Sequence, residues 1–269
     1  MKLCFIGGGN MATALIAGLQ SQQFAMANIT VIELDTEKRQ ALESQFGVNT
    51  SAELDATEAC DAIVLAIKPQ QLPTLAKALA NLLSNQLIIS IAAGIRLADL
   101  SRWLGYYCTI IRCMPNTPAQ IQQGITGLYA MPNVTKTQIA MADEILSAAG
   151  STLWLDSEEK LDAITAISGS GPAYVFYLIE ALQAAAIKLG LSERDASQLS
   201  IATFKGASLL ADSSATPVAT LRQQVTSKGG TTEQGLLSLQ HSNVTQALVL
   251  AAQKACERAK TLGDELGQL

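Results

Sequence analysis

A short apolar run, Leu3-Cys4-Phe5-Ile6, stops at residue 7 in Gly7-Gly8-Gly9-Asn10-Met11-Ala12, and a helical pattern follows at once. A strand that turns into a helix through G-x-G-x-x-A builds a βα unit whose helix N-terminus faces the turn. Gly7 permits the tight turn and Gly9 lets the backbone approach a pyrophosphate. Ala12, in the third glycine position, is small enough for the helix to pack on the strand. Free N–H groups and the positive end of the helix dipole then meet the anion. The motif reads as a dinucleotide fingerprint, with Ile6, Gly7, Gly8, Gly9, Asn10 and Met11 as cofactor-binding candidates. The plainer alternative is a tight turn with no ligand.

The texture of the chain divides near residue 155. Up to that point short β-branched runs recur: Ile29-Thr30-Val31-Ile32, Ala62-Ile63-Val64-Leu65-Ala66-Ile67, Leu87-Ile88-Ile89-Ser90-Ile91 and Thr109-Ile110-Ile111-Arg112. Continuous apolar runs suit parallel strands buried on both faces. Helical candidates at 12–22, 37–46 and 73–83 lie between them. The alternation predicts an α/β domain over 1–155, a Rossmann-type doubly wound parallel sheet. From Asp156 the β signal is gone, so residues 156–269 are expected to be all-helical, punctuated by Gly190, Gly206, Pro217 and a loop at 227–230. Within them, residues 174–189 carry only Glu180 and Lys188 as charges. A helix that is apolar around most of its circumference needs cover on all sides, which points to a second copy of the chain.

Composition supports that and removes several classes. Charged residues are 15% of the 269, against roughly 25% in an average soluble domain. The net charge of −5 excludes the basic footprint of a nucleic-acid binder. The most apolar stretch, 163–179, is broken by Ser168-Gly169-Ser170-Gly171-Pro172, so no membrane span is expected. Lys2 followed by only four apolar residues is not expected to be a secretory signal. The five cysteines include no C-x-x-C pair and read as reduced thiols of a cytoplasmic protein. One histidine, His241, excludes a His-rich metal site and leaves little room for a Ser-His-Asp triad; its setting reads as a helix corner.

Other segments carry chemistry at strand ends. The second strand closes on Glu33-Leu34-Asp35, where a carboxylate accepts hydrogen bonds from ribose hydroxyls or caps the next helix. Lys38 and Arg39 follow and can offset its repulsion of a 2′-phosphate. Ala66, Ile67, Lys68 and Pro69 close the third strand, at the end where such sheets bind ligands. A solvated lysine is the plain alternative for Lys68. Asn116, in Arg112-Cys113-Met114-Pro115-Asn116-Thr117-Pro118-Ala119, offers an amide to a carboxamide. In the helical half, Ser227-Lys228-Gly229-Gly230-Thr231-Thr232-Glu233 reads either as an ordinary helix start or as a small-carboxylate site.

Together these residues resemble the pyrroline-5-carboxylate reductase family across essentially the whole chain. The likeness runs through residues 7–12, 66–70, Ser90-Ile91-Ala92-Ala93-Gly94, 112–119 and 168–174. It is most specific over 217–240, where Leu221, Val225, Gly229-Gly230, Thr232 and Gly235-Leu236 are in register. The resemblance implies reduction of L-1-pyrroline-5-carboxylate to L-proline by hydride transfer to a cyclic imine. NADP(H) is the coenzyme favoured, with NAD(H) the alternative. It implies that Ser227, Gly230, Thr231 and Thr232 hold the substrate, with the Thr232 hydroxyl catalytic at the imine nitrogen. It also places the nicotinamide by Lys68, Pro69 and Asn116, near the Ser170-Gly171-Pro172 turn. The family completes its sites in a homodimer, and several members assemble into decamers. Two departures stand out: Lys228, where many members have proline, and the acidic Glu33-Leu34-Asp35, where NADPH users carry hydroxyl or basic residues.

Three other readings use the same residues. A β-hydroxyacid dehydrogenase shares the first loop, but needs a lysine just after the turn at 169–171, and the next lysine here is Lys188. An NAD(P) sensor without turnover would not need the 229–232 segment. A cofactor-free structural oligomer leaves the first glycine loop without a purpose.

Overall fold

The computed structural model describes all residues, Met1–Leu269. The elements are β1 (Leu3–Ile6), α1 (Asn10–Ser21), β2 (Ile29–Ile32), α2 (Thr36–Phe46), β3 (Asn49–Ser51), β4 (Ala62–Leu65) and α3 (Leu72–Leu79). They continue with β5 (Leu87–Ser90), α4 (Leu97–Trp103), β6 (Ile110–Met114), β7 (Gly124–Ala130), α5 (Lys136–Ser147), β8 (Gly150–Trp154) and α6 (Lys160–Ile164). A π-helical segment, Thr165–Gly169, leads on to α7 (Gly171–Lys188), α8 (Glu193–Asp212), α9 (Val218–Gln224), α10 (Thr231–His241) and α11 (Val244–Gly267). The sheet therefore ends where the sequence texture changes. By compactness the chain divides later, into one unit of Met1–Ser170 with Lys254–Leu269 and another of Gly171–Gln253.

The first unit holds an 8-stranded sheet in the order β3-β2-β1-β4-β5-β6-β7-β8. Its strands are so apolar because both faces are covered. Leu3 and Phe5 of β1 pack into one cluster with Leu15 and Leu19 of α1, Leu42 of α2 and Ile145 of α5. Cys4 and Ile6 point the other way, to Leu72 of α3, Leu100 and Trp103 of α4, and Leu266 near the end of α11. This period-two division gives the doubly wound architecture. Two arginines, Arg96 at the N-cap of α4 and Arg102 within it, pin the returning C-terminal helix: Arg96 Nη1 lies 2.7 Å from Asp264 Oδ1, and Arg102 Nη2 donates to the Gly267 carbonyl at 2.7 Å.

The sheet departs from the expected wholly parallel form at one pair, where β7 runs antiparallel to β6. Only residues 115–123 connect them, too few for a parallel crossover, which takes a dozen or more. The next pair, β7 with β8, is parallel again, with α5 as its crossover. Three strands (β3, β7 and β8) escape the apolar-run criterion. The first is short and polar, β7 is interrupted by two glycines and only partly buried, and β8 has no fully buried position.

The second unit is helical throughout. Its α7 and α8 are joined by residues 189–192, with Gly190 at φ 92° and Ser192 Oγ accepting the Asp195 N–H at the start of α8. Gly206 does not interrupt the helix as expected: α8 runs through it, and a helix of 20 residues absorbs the roughly 1 kcal/mol cost of one interior glycine. Ala196 is the one buried hydrophobic residue between Gly171 and Gln253. Phe176 is 66% exposed and Tyr177 72%. Helices with so little core of their own call for an apolar partner surface.

Candidate functional site

In the first unit the strand ends on either side of the switch point, after β1 and after β4, form a cradle. Gly7 has φ 100°, a conformation that glycine adopts readily and other residues do not. Its N–H donates to the Ile32 carbonyl at 2.8 Å, and the Ala66 N–H donates to the Ile6 carbonyl at 2.8 Å. A Cβ on Gly7 would stand 2.7 Å from the Ala66 oxygen and 2.9 Å from Ile67 Cγ2. Gly9 is different: it is the N-cap of α1, in an extended conformation with no side-chain cap. A Cβ there would meet nothing within 4 Å. The first turn of α1 carries no acidic side chain, so its N–H groups and dipole face open space. A bare helix N-terminus with a glycine-sized hollow is what a dinucleotide pyrophosphate requires.

The structure separates the two acids after β2. Asp35 is the helix cap, accepting the N–H groups of Glu37 at 2.9 Å and Lys38 at 3.2 Å. Glu33 is no cap; its carboxylate is held at the glycine loop by the Gly8 N–H at 3.1 Å and the Asp35 N–H at 3.1 Å. Arg39 folds over the same turn, donating from Nη1 to the Glu33 and Leu34 carbonyls at 2.7 and 3.0 Å and from Nη2 to Thr36 Oγ1 at 3.0 Å. One anchored carboxylate and one anchored guanidinium thus share the turn after β2.

At the end of β4, Lys68 is exposed and precedes the 3-10 turn Pro69–Gln71. Asn116 lies buried after β6. Its Nδ2 donates to the Ser168 carbonyl at 3.1 Å, and its Oδ1 accepts the Ile125 N–H at 2.9 Å. The side chain ties the end of β6 to the start of β7 and to the π segment. A contact with a carboxamide would use its second amide hydrogen or the second lone pair of Oδ1. Arg112 supports the same region. It is 5% exposed, with Nη1 2.7 Å from Glu158 Oε1 and Nη2 3.6 Å from Asp162 Oδ1. The Leu97 N–H also donates to Glu158 Oε1, at 2.8 Å. A charge inside an apolar strand signals a partner, but the sequence does not say which one.

In the second unit, residues 227–230 form a β-turn closed by the Gly230 N–H on the Ser227 carbonyl at 3.0 Å. Gly229, at φ 73°, occupies the position that makes the turn type II. Ser227 Oγ sits 2.5 Å from where a Cβ on Gly230 would be, so the hydroxyl fills the space that the glycine leaves. Gly230 is then the N-cap of α10, without a side-chain cap. The first-turn N–H groups of Thr231 and Thr232 are open to an anion. Sequence reasoning missed one contact here: Glu233 Oε2 accepts the Gly229 N–H at 2.7 Å. The signal was an acid three residues beyond a helix cap.

Other reactive groups stand apart. His241 ends α10 and is exposed. All five cysteines are free thiols. Burial pushes the Cys113 thiol up despite the neighbouring Arg112 charge. Cys4 is raised by its hydrogen bond to Cys60 and then by burial. No cluster of three or more His, Cys, Asp or Glu side chains is arranged to hold a metal ion, and no helix is long and apolar enough to cross a membrane.

Two family profiles match the chain. Residues 158–262 match pyrroline-5-carboxylate reductase dimerisation, and residues 2–94 match NADP oxidoreductase, coenzyme F420-dependent. The pyrroline-5-carboxylate reductase of Pseudomonas aeruginosa is 44% identical over 268 residues, covering 97% of this chain and 98% of that protein. The structure of a pyrroline-5-carboxylate reductase from Coxiella burnetii superposes with a TM-score of 0.94 at 39% identity, over 97% of this chain and 98% of that one. The Plasmodium falciparum pyrroline carboxylate reductase, solved with NADP bound, superposes with a TM-score of 0.87 at 30% identity, over 98% of both chains.

Proposed function

The chain belongs to the pyrroline-5-carboxylate reductase family, and from that premise we propose which of its residues carry the reaction. It reduces L-1-pyrroline-5-carboxylate to L-proline with NAD(P)H, the last step of proline biosynthesis. When bound, the nicotinamide coenzyme supplies the hydride that reaches the C=N carbon. The protein's own tasks are to hold both partners, exclude water and place a proton on nitrogen. A cyclic imine can arrive already protonated, so positioning contributes more than acid–base machinery.

In this proposal Ile6, Gly7, Gly8, Gly9, Asn10 and Met11 seat the pyrophosphate, and Glu33 borders the adenosine ribose. Ala66, Ile67, Lys68 and Pro69 line the nicotinamide end, with Asn116 fixing the adjoining backbone. Ser227, Gly230, Thr231 and Thr232 receive the substrate carboxylate and ring on the open N-terminus of α10. The Thr232 hydroxyl is the hydrogen-bond partner of the imine nitrogen, or relays a proton from water to an imine that arrives neutral. The observation that carries this assignment is the uncapped start of α10 behind a turn whose Ser227 hydroxyl packs against Gly230. Electrostatic fixation of an anionic substrate needs donors oriented before it arrives, and such a helix end provides them.

The chain works as a homo-oligomer. We place its building block in a homodimer through the apolar faces of α7 and α8, where Phe176, Tyr177, Leu209 and Leu210 are all more than half exposed; dimers then assemble further into a decamer. Five free thiols fit a cytoplasmic setting. The test follows nicotinamide absorbance in a cuvette with pyrroline-5-carboxylate, once with NADPH and once with NADH. Rapid oxidation with either is expected. Failure with both, while the coenzyme still raises the melting temperature, would move the substrate to a different imine or to a hydroxyacid.

A further inference from the structure

We infer that Glu233 is a positioning residue for substrate binding, clamping the 227–230 turn through the Gly229 N–H. The inference rests on the assignment of residues 227–232 to the substrate.

The turn is poorly determined by its own residues. A type II turn is pre-set when proline occupies its second position and glycine its third. Here the second position is Lys228, with free φ, and the third is Gly229, the least restricted residue. Both are exposed, and the Gly230–Ser227 bond of 3.0 Å is the only backbone bond that closes the turn. The 2.7 Å contact from the Gly229 N–H to Glu233 Oε2 adds a second restraint, at a charge-assisted length. Glu233 is rooted in the first turn of α10. Its carboxylate therefore fastens a pair of intrinsically unrestricted residues to a helix.

The consequence reaches the substrate groups through packing. Ser227 Oγ lies where a Gly230 Cβ would be, so moving Gly229 and Gly230 moves that hydroxyl relative to the Thr231 and Thr232 N–H groups. A carboxylate at the end of a helix that receives an anion would otherwise oppose binding. Spending it on an N–H of the adjoining turn converts the opposition into order. The arrangement is a displaced capping box, reaching one residue before the cap.

The test compares kinetic constants for Glu233→Ala, Glu233→Gln and the double variant Lys228→Pro/Glu233→Ala, with melting temperature as a control. Glu233→Ala should raise KM for pyrroline-5-carboxylate about five- to tenfold, the loss of one exposed charge-assisted hydrogen bond, and leave KM for the coenzyme in place. Glu233→Gln keeps an acceptor oxygen at the same reach and should recover most of the loss. Proline at 228 pre-sets the turn without the clamp and should also recover it. An unchanged substrate KM in Glu233→Ala overturns the inference, even if the melting temperature falls, because a mere helix cap would do that. A raised KM that neither glutamine nor proline restores overturns it as well. Thr232→Ala and Ser227→Ala are assayed alongside. If they too leave catalysis and substrate KM untouched, the assignment of the loop is at fault; if they impair it while Glu233→Ala does not, only the clamp is.

Discussion

The cradle separates two effects that substitution at a glycine loop usually mixes. Gly7→Ala forces an alanine to φ 100° and drives its Cβ to 2.7 Å from the Ala66 carbonyl oxygen. The left-handed backbone costs about 1–2 kcal/mol, and displacing a backbone atom adds about 1–3 kcal/mol. A loss of about 2–5 kcal/mol lowers the melting temperature of a chain of this size by roughly 4–20 °C. Gly9→Ala meets no such obstacle, since the backbone is extended and nothing lies within 4 Å of the new methyl group. Its loss of N-cap preference, a few tenths to about 1 kcal/mol, is offset by about 0.4–1 kcal/mol from a stiffer unfolded chain. The coenzyme-free protein should melt within a degree or two of wild type. Yet that methyl group occupies the hollow assigned to the pyrophosphate, and overpacking of about 1–3 kcal/mol weakens NADPH binding roughly 5- to 150-fold. Differential scanning fluorimetry without coenzyme and fluorescence titration with NADPH read the two quantities separately. Normal NADPH affinity in Gly9→Ala would refute the placement of the pyrophosphate at α1, whatever Gly7→Ala does.

Three further outcomes are expected. Thr232→Ala should lower kcat by about 10² while coenzyme affinity holds, as removal of a proton relay does; an unchanged rate excludes Thr232 from the mechanism. Glu33→Ser removes the carboxylate anchored by Gly8 and Asp35 and should shift the NADPH/NADH ratio of kcat/KM about tenfold toward NADPH, a screened charge–phosphate effect. A flat ratio would show that Glu33 does not face the ribose. Phe176→Asp places a charge on a face that burial against a second copy would make costly; light scattering should show a smaller species, and an unchanged mass would move the interface elsewhere.

Much of this fold is legible locally. Strands buried on both faces announce themselves as apolar runs, so β1, β2, β4, β5 and β6 stand out, and the glycine loop fixes where the ligand end of the sheet lies. The strands β7 and β8 were not legible, because they belong to the part of the sheet where faces are only partly covered and the alternation is broken by Gly124, Gly127 and Gly150. The reversal of β7 follows from connection length, which is readable only once both strand ends are known. The apolar 174–189 stretch pointed correctly to a helix that a single chain does not bury. Glycine was a less faithful signal in the helical half: Gly190 ends a helix and Gly206 lies within one.

What stayed hidden is the support behind the site, and the reason is separation along the chain. Gly7 and Gly229 take a positive φ that is set within a few residues, so sequence pattern exposes them. Arg112 finds Glu158 across 46 residues, and Asn116 finds Ser168 across 52. An arginine between Ile111 and Cys113 demands a carboxylate but does not say whether Glu158 or Asp162 supplies it; the structure uses both. A reaction on an imine that can arrive protonated asks little of acid–base groups and much of placement. Its rate should therefore be most sensitive, after the groups that touch the reactants, to these distant braces. In the proposed site Arg112, Asn116 and Glu233 each hold a backbone segment beside an assigned contact, so altering them should grade the activity, whereas Gly9→Ala fills the assigned pyrophosphate hollow and Thr232→Ala removes an assigned contact.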